Sequence, residues 1–369
     1  MIHSFLDKKK LNFSIFITTL TSLILTSGAC GRVYSQDPHA HWSDGLGTHN
    51  FGVTCFANAT HKLLWSYFRD QAASPSPATT ELGRQFNALV AGFNLGLDNA
   101  RHQRPSAHKG FKDQLSAFFD EFKNNEARAG SLDPITFSVQ DGAETYLTRL
   151  SDYSLLFPQS LGVQKREQAI FTSDHHRLIT AYAYNGELAL SLNINNAGVS
   201  TVQQAIDQDL RETNDGSQLT HPLTHVREAI SKQTHYALDP ALSSSPQILI
   251  LKLNRIIHQS GTTVKLTKDV TPNLNITVPF ERVQNNPAGV PQFIPHENAQ
   301  YTLKSVVVHH GSAHGGHYFT YIRNSDREWE LHNDMRVELI QDRSHIDRIE
   351  NEIKSTGYLF LYTLTAPTP

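Results

Sequence analysis

The stretch Asn50-Phe-Gly-Val-Thr-Cys-Phe-Ala-Asn58 places Cys55 directly before a run with helical periodicity. Apolar residues recur there at the spacing of one helix face, so we predict a helix over 55–67. A helix N-terminus favours a thiolate over a thiol, because it offers partial positive charge and unpaired N–H groups. Gly52 allows a tight turn before the helix. The stretch predicts a nucleophilic cysteine, with a buried structural cysteine as the alternative.

A second segment, His309-His-Gly-Ser-Ala-His-Gly-Gly-His-Tyr-Phe-Thr-Tyr321, sets His317 before a strand-like run. The glycines at 315 and 316 remove side-chain bulk, so an extended substrate backbone can pass there. The strand predicted after His317 would hold its imidazole in a fixed place.

A returning strand is predicted from Trp329, and it would set Asn333 or Asp334 beside His317. A polar side chain on the far ring nitrogen fixes the histidine tautomer. A thiol, a histidine and a polar orienting residue are the parts of a cysteine hydrolase. The chain has only two cysteines, which makes Cys55 nearly the forced choice of nucleophile.

A metal site is the competing interpretation of the histidine-rich segment. His310, His314 and His317 have the spacing i, i+4, i+7, which suits a helix, but the neighbouring glycines and strand pattern argue against a helix. No H-E-x-x-H motif is present, and two cysteines cannot build a four-cysteine zinc site. We predict no metal and no cofactor, and we expect His309 and His314 to be loop or surface residues.

The composition excludes several classes of protein. With 369 residues and an ordinary apolar fraction, the chain can bury a sizeable core as one large domain or two. A net charge of −3 does not indicate a basic surface that would bind nucleic acid. Two cysteines also cannot form a disulfide framework.

The N-terminal segment 1–29 has the pattern of a secretory signal peptide. Three lysines at 8–10 precede an apolar run over 11–25, and small residues follow at 27–29. Cleavage after Ala29 would leave Cys30 first, where lipidation is a weaker hypothesis. An uncleaved single-span membrane anchor is the alternative. We predict a polar linker over 30–44.

Helical periodicity dominates the first half of the remaining chain, and alternation dominates the second. Predicted helices lie at 81–127, 140–153 and 202–210, after a break at 71–80. Predicted strands lie at 169–171, 177–183, 188–194, 247–254, 301–309, 317–323, 329–332 and 357–362. Helices followed by strands indicate an α+β fold with the active site between a helical lobe and a sheet.

Six motifs in order resemble the ubiquitin-specific protease family of cysteine deubiquitinases. Asn50–Asn58, preceded by Gly45-Leu46, is similar to its cysteine box, and Tyr301-Thr-Leu, His309-His-Gly and Gly316-His-Tyr are similar to its histidine box. The other motifs are Trp329 with Asn333-Asp334, the helix 140–147, the strand 245–255 and the strand 357–362. The resemblance covers 45–363, which we predict to be one catalytic domain.

The resemblance implies a papain-like cysteine protease fold with a helical thumb, an antiparallel β palm and fingers. Val53, Phe56, His61 and Ala143 depart mildly from the family pattern. The fingers of the family often carry two Cys-x-x-Cys pairs that bind zinc. Those cysteines are absent here, so reduced, zinc-free fingers are expected.

The resemblance also implies the site roles. Cys55 matches the nucleophile, His317 the general base and Asn333 the third member of the triad. Asp334 matches an assisting neighbour, and Asn50 matches the donor to the oxyanion.

Substrate contacts are implied in the same way, with ubiquitin or ubiquitinated proteins as the expected partner. Asp141 and Glu144 match acidic residues that hold arginines near the ubiquitin tail, with a solvated helix face as the alternative. Gly315 and Gly316 would form a narrow slot for the two terminal glycines, and Tyr318 would line it. Two alternatives are a protease for another ubiquitin-like modifier and a ubiquitin-binding module without turnover.

The signal-like segment is unusual beside a cytosolic substrate. One hypothesis joins them: a bacterial protein exported to act on the ubiquitin of a host cell. The alternative is a membrane-anchored protein whose catalytic domain faces the cytosol.

Overall fold

The computed structural model describes residues 46–69, 80–102, 108–131, 133–135, 137, 141–153, 163–179, 188–238, 242–287 and 289–365. The helices are α1 (Cys55–Phe68), α2 (Glu81–Arg101), α3 (His108–Ala129), α4 (Ala143–Tyr153), α5 (Val202–Asp209) and α6 (Arg343–Thr356). The predicted signal segment 1–29, the linker 30–44 and Gln140 lie outside these residues. No helix within the described ranges is long and apolar enough to cross a membrane.

Fourteen strands are described. They are β1 (Val163–Phe171), β2 (Arg177–Ile179), β3 (Ala189–Leu192), β4 (Gln218–Thr220), β5 (Arg227–Leu238), β6 (Ile248–Leu253), β7 (Ile256–Gln259), β8 (Thr262–Lys265), β9 (Asn275–Asn285), β10 (Pro291–Ser312), β11 (Gly315–Ser325), β12 (Glu328–Asn333), β13 (Arg336–Ile340) and β14 (Gly357–Leu364). The α+β prediction is therefore confirmed.

The strands form one large sheet with a small separate hairpin. The main path runs β13-β12-β11-β10-β9-β5-β1-β2, while β14 joins β10 to β6 and β7 pairs only with β8 among the described strands. The pairs β10–β11 and β11–β12 are antiparallel hairpins of consecutive strands. This arrangement brings the segments around His317 and Asn333 onto neighbouring strands.

Helix α1 is the centre of the helical half and is buried along almost its whole length. Aromatic rings from α2, α3 and α4 surround it, among them Phe86, Phe118 and Tyr146. His61 lies in this cluster, where burial lowers its pKa to about 3, and it is 2.8 Å from the Tyr146 hydroxyl. The imidazole is therefore neutral, and its Nδ1 is buried without a hydrogen-bond partner among the described residues.

Helix α1 is fixed to the sheet by buried polar contacts as well as by apolar packing. Thr320 on β11 donates its hydroxyl to the Ala59 carbonyl at 2.8 Å. The hydroxyls of Ser66 and Ser305 on β10 are 2.7 Å apart. Buried polar groups need such partners, and their directionality fixes how the helix lies across the strands.

Several element boundaries differ from the sequence predictions. The helix predicted over 81–127 is two helices, α2 and α3, and the strand predicted over 301–309 is the end of the 22-residue β10. Helix α6 and strand β9 were missed. Helix α6 buries Ile346, Ile349 and Ile353 among its described residues, at the helical spacing i, i+3, i+7, so its signal was present in the sequence and was overlooked.

Candidate active site

The turn before α1 is built by the side chain of Asn50. Its Oδ1 accepts hydrogen bonds from the backbone N–H groups of Gly52 at 3.0 Å and Thr54 at 3.1 Å. Gly52 has φ +111°, a conformation that favours glycine. Cys55 is the first residue of helix α1, as predicted. It therefore lies at the positive end of the helix dipole.

Neighbouring strands place a polar side chain on the ring of His317. Nε2 of His317, on β11, lies 2.6 Å from Oδ1 of Asn333 at the end of β12. An amide oxygen only accepts, so the ring carries its proton on Nε2. This leaves Nδ1 as the nitrogen that can exchange a proton with the thiol.

Strand β11 brings the histidine to the cysteine. Cys55 is buried, at 4% exposure, and α1 packs against β11 through the Thr320 contact. The pKa of Tyr318, next to His317, is raised by burial, then by the charge of Glu144, and then by that of Cys55. The Cys55 side chain is therefore close enough to Tyr318 for their charges to interact. Helix α1, which Cys55 begins, packs against the strands that carry His317 and Asn333.

Asp334 has a different position from Asn333. Its carboxylate accepts from the amide of Asn50 at 2.8 Å and from the amide of Asn58 at 2.7 Å, and it lies 4.0 Å from Nε2 of His317. Asp334 has φ +49°, so the chain leaves the regular strand there and turns this carboxylate towards α1. Asp334 thus connects the turn before α1 to the catalytic hairpin.

Asn58 is a site residue that the sequence analysis did not assign. It lies three positions after Cys55 and also donates to the His49 carbonyl at 3.3 Å. It closes the quoted cysteine stretch, and that was the available signal. A buried amide at 2% exposure requires a partner, which Asp334 supplies.

The two acidic residues before and within α4 lie on the other side of the site. Asp141 accepts from the Gly142 N–H at 2.7 Å, and burial raises the pKa of its carboxyl. Glu144 has one carboxylate oxygen 3.6 Å from Nζ of Lys252. Its other oxygen is buried and lacks a hydrogen bond of good geometry among the described residues. The carboxylates of Asp141 and Glu144 therefore concentrate negative charge on this side of the site, and Lys252 lies beside Glu144.

Gly315 and Gly316 are the first two residues of β11 and follow the tight turn that joins it to β10. A methyl group on Gly316 would clash with the His310 carbonyl and with the ring of His309. The hairpin itself therefore requires glycine there, whatever passes over it. Tyr318 is buried at 4% exposure and stacks on His309, with ring centroids 4.4 Å apart.

His309 is not a loop or surface residue, and that prediction was wrong. It is 2% exposed, and burial, followed by the charge of Lys265, lowers its pKa to about 4. His309 lies on β10, and its ring faces inward, where it supports Tyr318. Strand β10 is buried on both faces from Ser305 to His309, and the run of histidines in the sequence did not reveal this coverage.

The metal interpretation of the histidine segment does not fit the geometry. His310 and His317 are opposite each other on β10 and β11, not on a helix. His310 lies 2.6 Å from the Glu352 carboxylate, while His317 bonds to Asn333. Within the described part of the chain, no converging group of metal-ligating side chains includes these histidines.

A thiol at a helix start with a histidine and an amide on adjoining strands defines a cysteine hydrolase. The family model described as ubiquitin carboxyl-terminal hydrolase matches residues 46–362. The chain belongs to this family, and the prediction of a cysteine-type deubiquitinase is confirmed. The individual roles of the site residues stay predictions.

Human relatives agree with the family. The chain is 30% identical over 312 residues to ubiquitin carboxyl-terminal hydrolase 17-like protein 6, covering 79% of this chain and 69% of the relative. It is also 30% identical over 312 residues to 17-like protein 22, covering 79% of this chain but 52% of that relative. The chain thus spans between half and about two thirds of the length of these relatives.

Solved structures confirm the predicted papain-like fold. The SAGA DUB module of Ubp8, Sgf11, Sus1 and Sgf73 bound to monoubiquitin matches with a TM-score of 0.57 and 16% identity, covering 90% of this chain and 72% of that chain. The same module bound to ubiquitin aldehyde matches with a TM-score of 0.58 and 16% identity, covering 92% and 73%.

Proposed function

We propose that this deubiquitinase hydrolyses the isopeptide or peptide bond after the C-terminal glycine of ubiquitin through an acyl-enzyme on Cys55. The observation that carries the proposal is the hydrogen bond of 2.6 Å between His317 and Asn333, on strands packed against the helix that Cys55 begins. This arrangement prepares a general base of defined tautomer beside a thiol.

The first step transfers a proton from the thiol to Nδ1 of His317, and the Cys55 thiolate attacks the glycine carbonyl carbon. The imidazolium is stabilised by the Asn333 oxygen on Nε2 and by the Asp334 carboxylate at 4.0 Å. His317 then gives its proton to the leaving amine as the C–N bond breaks. A thioester remains on Cys55.

The oxyanion of the tetrahedral intermediate needs donors that are already in place. Asn50 supports this role because its oxygen is held by the turn and one of its amide hydrogens by Asp334. The second amide hydrogen then has a fixed direction. Together with the N–H of Cys55 it would bind the oxyanion.

Hydrolysis of the thioester repeats this chemistry with water. His317 takes a proton from the water as the water oxygen attacks the thioester carbonyl, and the proton returns to the Cys55 sulfur as the C–S bond breaks. The products are the resting thiol and the carboxylic acid of the tail, which loses its proton to solvent. No metal or cofactor takes part in these steps.

Recognition of the ubiquitin tail is assigned to the acidic side of the site. Asp141 and the incompletely hydrogen-bonded carboxylate of Glu144 would accept charge-assisted hydrogen bonds from tail arginines. Lys252, at 3.6 Å from Glu144, partly neutralises the group and would move when an arginine binds. The glycine pair 315–316 would admit only an unbranched backbone.

The test is a ubiquitin whose C-terminus carries an electrophile, incubated with the purified chain. Mass spectrometry of the peptides should locate one adduct, on Cys55. Parallel probes built on other ubiquitin-like tails would react comparably if another modifier were the substrate. Binding of ubiquitin with no adduct would contradict hydrolysis and support a binding module.

We propose further that the chain is exported through its N-terminal segment 1–29 and acts on ubiquitin in a host cell, as a bacterial protein would. The sequence supports this with lysines at 8–10 before an apolar run over 11–25. N-terminal sequencing of the protein recovered from culture medium tests it, with residue 30 expected first. Retention of the intact N-terminus in a membrane fraction would favour the anchored alternative.

A further inference from the structure

A lysine side chain joins the β7–β8 hairpin to the end of β10, next to the turn that leads into β11. Lys265 is the last residue of β8 and is partly buried. Its Nζ donates to the His309 carbonyl at 2.6 Å and to the Gly311 carbonyl at 3.1 Å. One side chain therefore holds two backbone positions of the catalytic hairpin.

Strand β10 needs such a donor here because one of its neighbouring strands ends early. β14 pairs with β10 only as far as the register pair Val308–Gly357. β10 continues to Ser312, and β11 pairs with it over this last stretch. Alternate carbonyls of a strand point to the same edge. Beyond the end of β14, Lys265 therefore supplies hydrogen bonds that a neighbouring strand would otherwise supply.

The end of β10 is packed closely against the first residues of β11. A methyl group on Gly316 would meet the His310 carbonyl and the ring of His309. His310 and His317 are register partners across the two strands. A shift of β10 would therefore move Gly316 and His317, and the imidazole must keep its place to hold the bond of 2.6 Å to Asn333.

The backbone of Lys265 has a fixed position because Arg255 anchors the base of its hairpin. Arg255 is fully buried, and its guanidinium donates to the Gly357 carbonyl at 2.6 Å and to the Lys268 carbonyl at 2.7 Å. The Leu266 N–H, next to Lys265, donates to the Arg255 carbonyl at 2.6 Å. The lysine side chain thus reaches β10 from a rigid support.

We propose that Lys265 is a positioning residue for the general base His317, an inference that rests on the hydrolysis proposed above. Its ammonium group holds the end of β10, and β10 in turn holds the imidazole in the geometry that proton transfer from Cys55 requires. A misplacement of about 1 Å caused by a distant change can lower a rate by roughly 10²-fold. Loss of the Lys265 contacts should therefore lower kcat.

The charge of Lys265 makes this effect depend on pH. Burial, followed by the charge of Arg255, lowers the pKa of Lys265 to about 8. Arg255 stays charged throughout this range, and His309, which faces Lys265 from β10, has a pKa of about 4 and is neutral there. The contribution of the ammonium group to kcat is therefore complete well below pH 8 and is lost as the pH rises through that value.

The experiment compares Lys265→Met and Lys265→Arg with the unchanged full chain. Lys265→Met should lower kcat for a fluorogenic amide on the ubiquitin C-terminus by roughly 10- to 100-fold. Electrophilic ubiquitin should still label Cys55 in this variant, but more slowly. Lys265→Arg should keep most of kcat and move its alkaline fall to higher pH, because a guanidinium stays charged. The ionisations of Cys55 and His317 are common to both proteins, so the difference between the two pH profiles reports on Lys265.

Lys268→Met is the matched control, because this lysine lies three positions further on and donates to the Asn196 carbonyl. It should keep the wild-type kcat and pH profile. Wild-type kcat with an unchanged pH profile in Lys265→Met would overturn the proposal. If Lys265→Met melts far below the control, the arginine variant decides, and an alkaline fall at the parent protein's pH would overturn the proposal. Failure of the parent protein to label Cys55 would instead refute the proposed hydrolysis.

Discussion

Replacing Asn333 and Asp334 separately tests whether the two residues have different roles in the catalytic hairpin. Asn333 bonds to His317 at 2.6 Å, whereas Asp334 lies 4.0 Å away and holds the amides of Asn50 and Asn58. Asn333→Ala should therefore impair only the orientation and basicity of the His317 imidazole. Asp334→Ala should impair both the oxyanion side and the position of α1.

The expected losses of kcat follow from these distances. A hydrogen bond to a charged partner contributes about 1.5–3 kcal/mol, so Asn333→Ala should lower kcat by roughly 10- to 150-fold at 1.36 kcal/mol per decade. Asp334→Ala removes two charge-assisted bonds and a Coulomb term of about 1–4 kcal/mol at 4 Å for effective dielectrics of 80 to 20. If Asn50 then loses its direction, kcat should fall by roughly 10²–10³.

The assay is steady-state hydrolysis of a fluorogenic amide on the ubiquitin C-terminus, with melting temperature measured for each variant. Met335→Ala is the control, because that side chain is 43% exposed in the same turn. Asn333→Ala should keep the wild-type melting temperature, and Asp334→Ala should lower it. Near-wild-type activity of Asn333→Ala, with Asp334→Ala inactive, would reverse the two roles.

Four further predictions concern single positions. Cys55→Ala should abolish hydrolysis and leave ubiquitin affinity largely intact; turnover near the wild-type rate would remove the thiol from the mechanism. Asn50→Ala should lower kcat by roughly 10²–10³ with little change in KM, and a rise in KM alone would make it a positioning residue. Gly316→Ala should lose activity and melt earlier, because the methyl group clashes with the hairpin and with His309; an unchanged melting temperature would contradict this. Thr201→Ala removes the capping box of α5 and should cost roughly 1 kcal/mol of unfolding free energy in urea without affecting kcat.

The helical half was largely predictable because its signals are local. The periodicity after Cys55 gave a helix over 55–67, and the structure has Cys55–Phe68. The end of α2 at Arg101 was missed, although Pro105 shortly after it is a helix-breaking signal in the sequence. Helix 140–153 was placed within three residues of its observed start at Ala143.

The sheet was predicted less completely, because strand pairing depends on distant partners. Strand β9 over Asn275–Asn285 alternates buried and more exposed residues only over its first half, and the rest is polar apart from Val283. Its position is set by eleven pairs with β10, which no local pattern reveals.

The chemical parts of the site could be predicted from the sequence: one cysteine at a helix start, one histidine before a strand, and an Asn-Asp pair on the returning strand. These are local facts, fixed by residue type and spacing. The resemblance assigned Asn333 to the triad, but the hydrogen bond between Asp334 and Asn50, across 284 positions of the chain, is visible only in the folded structure. The burial of His309 is visible only there too, because contacts between distant segments exist only after the sheet has formed.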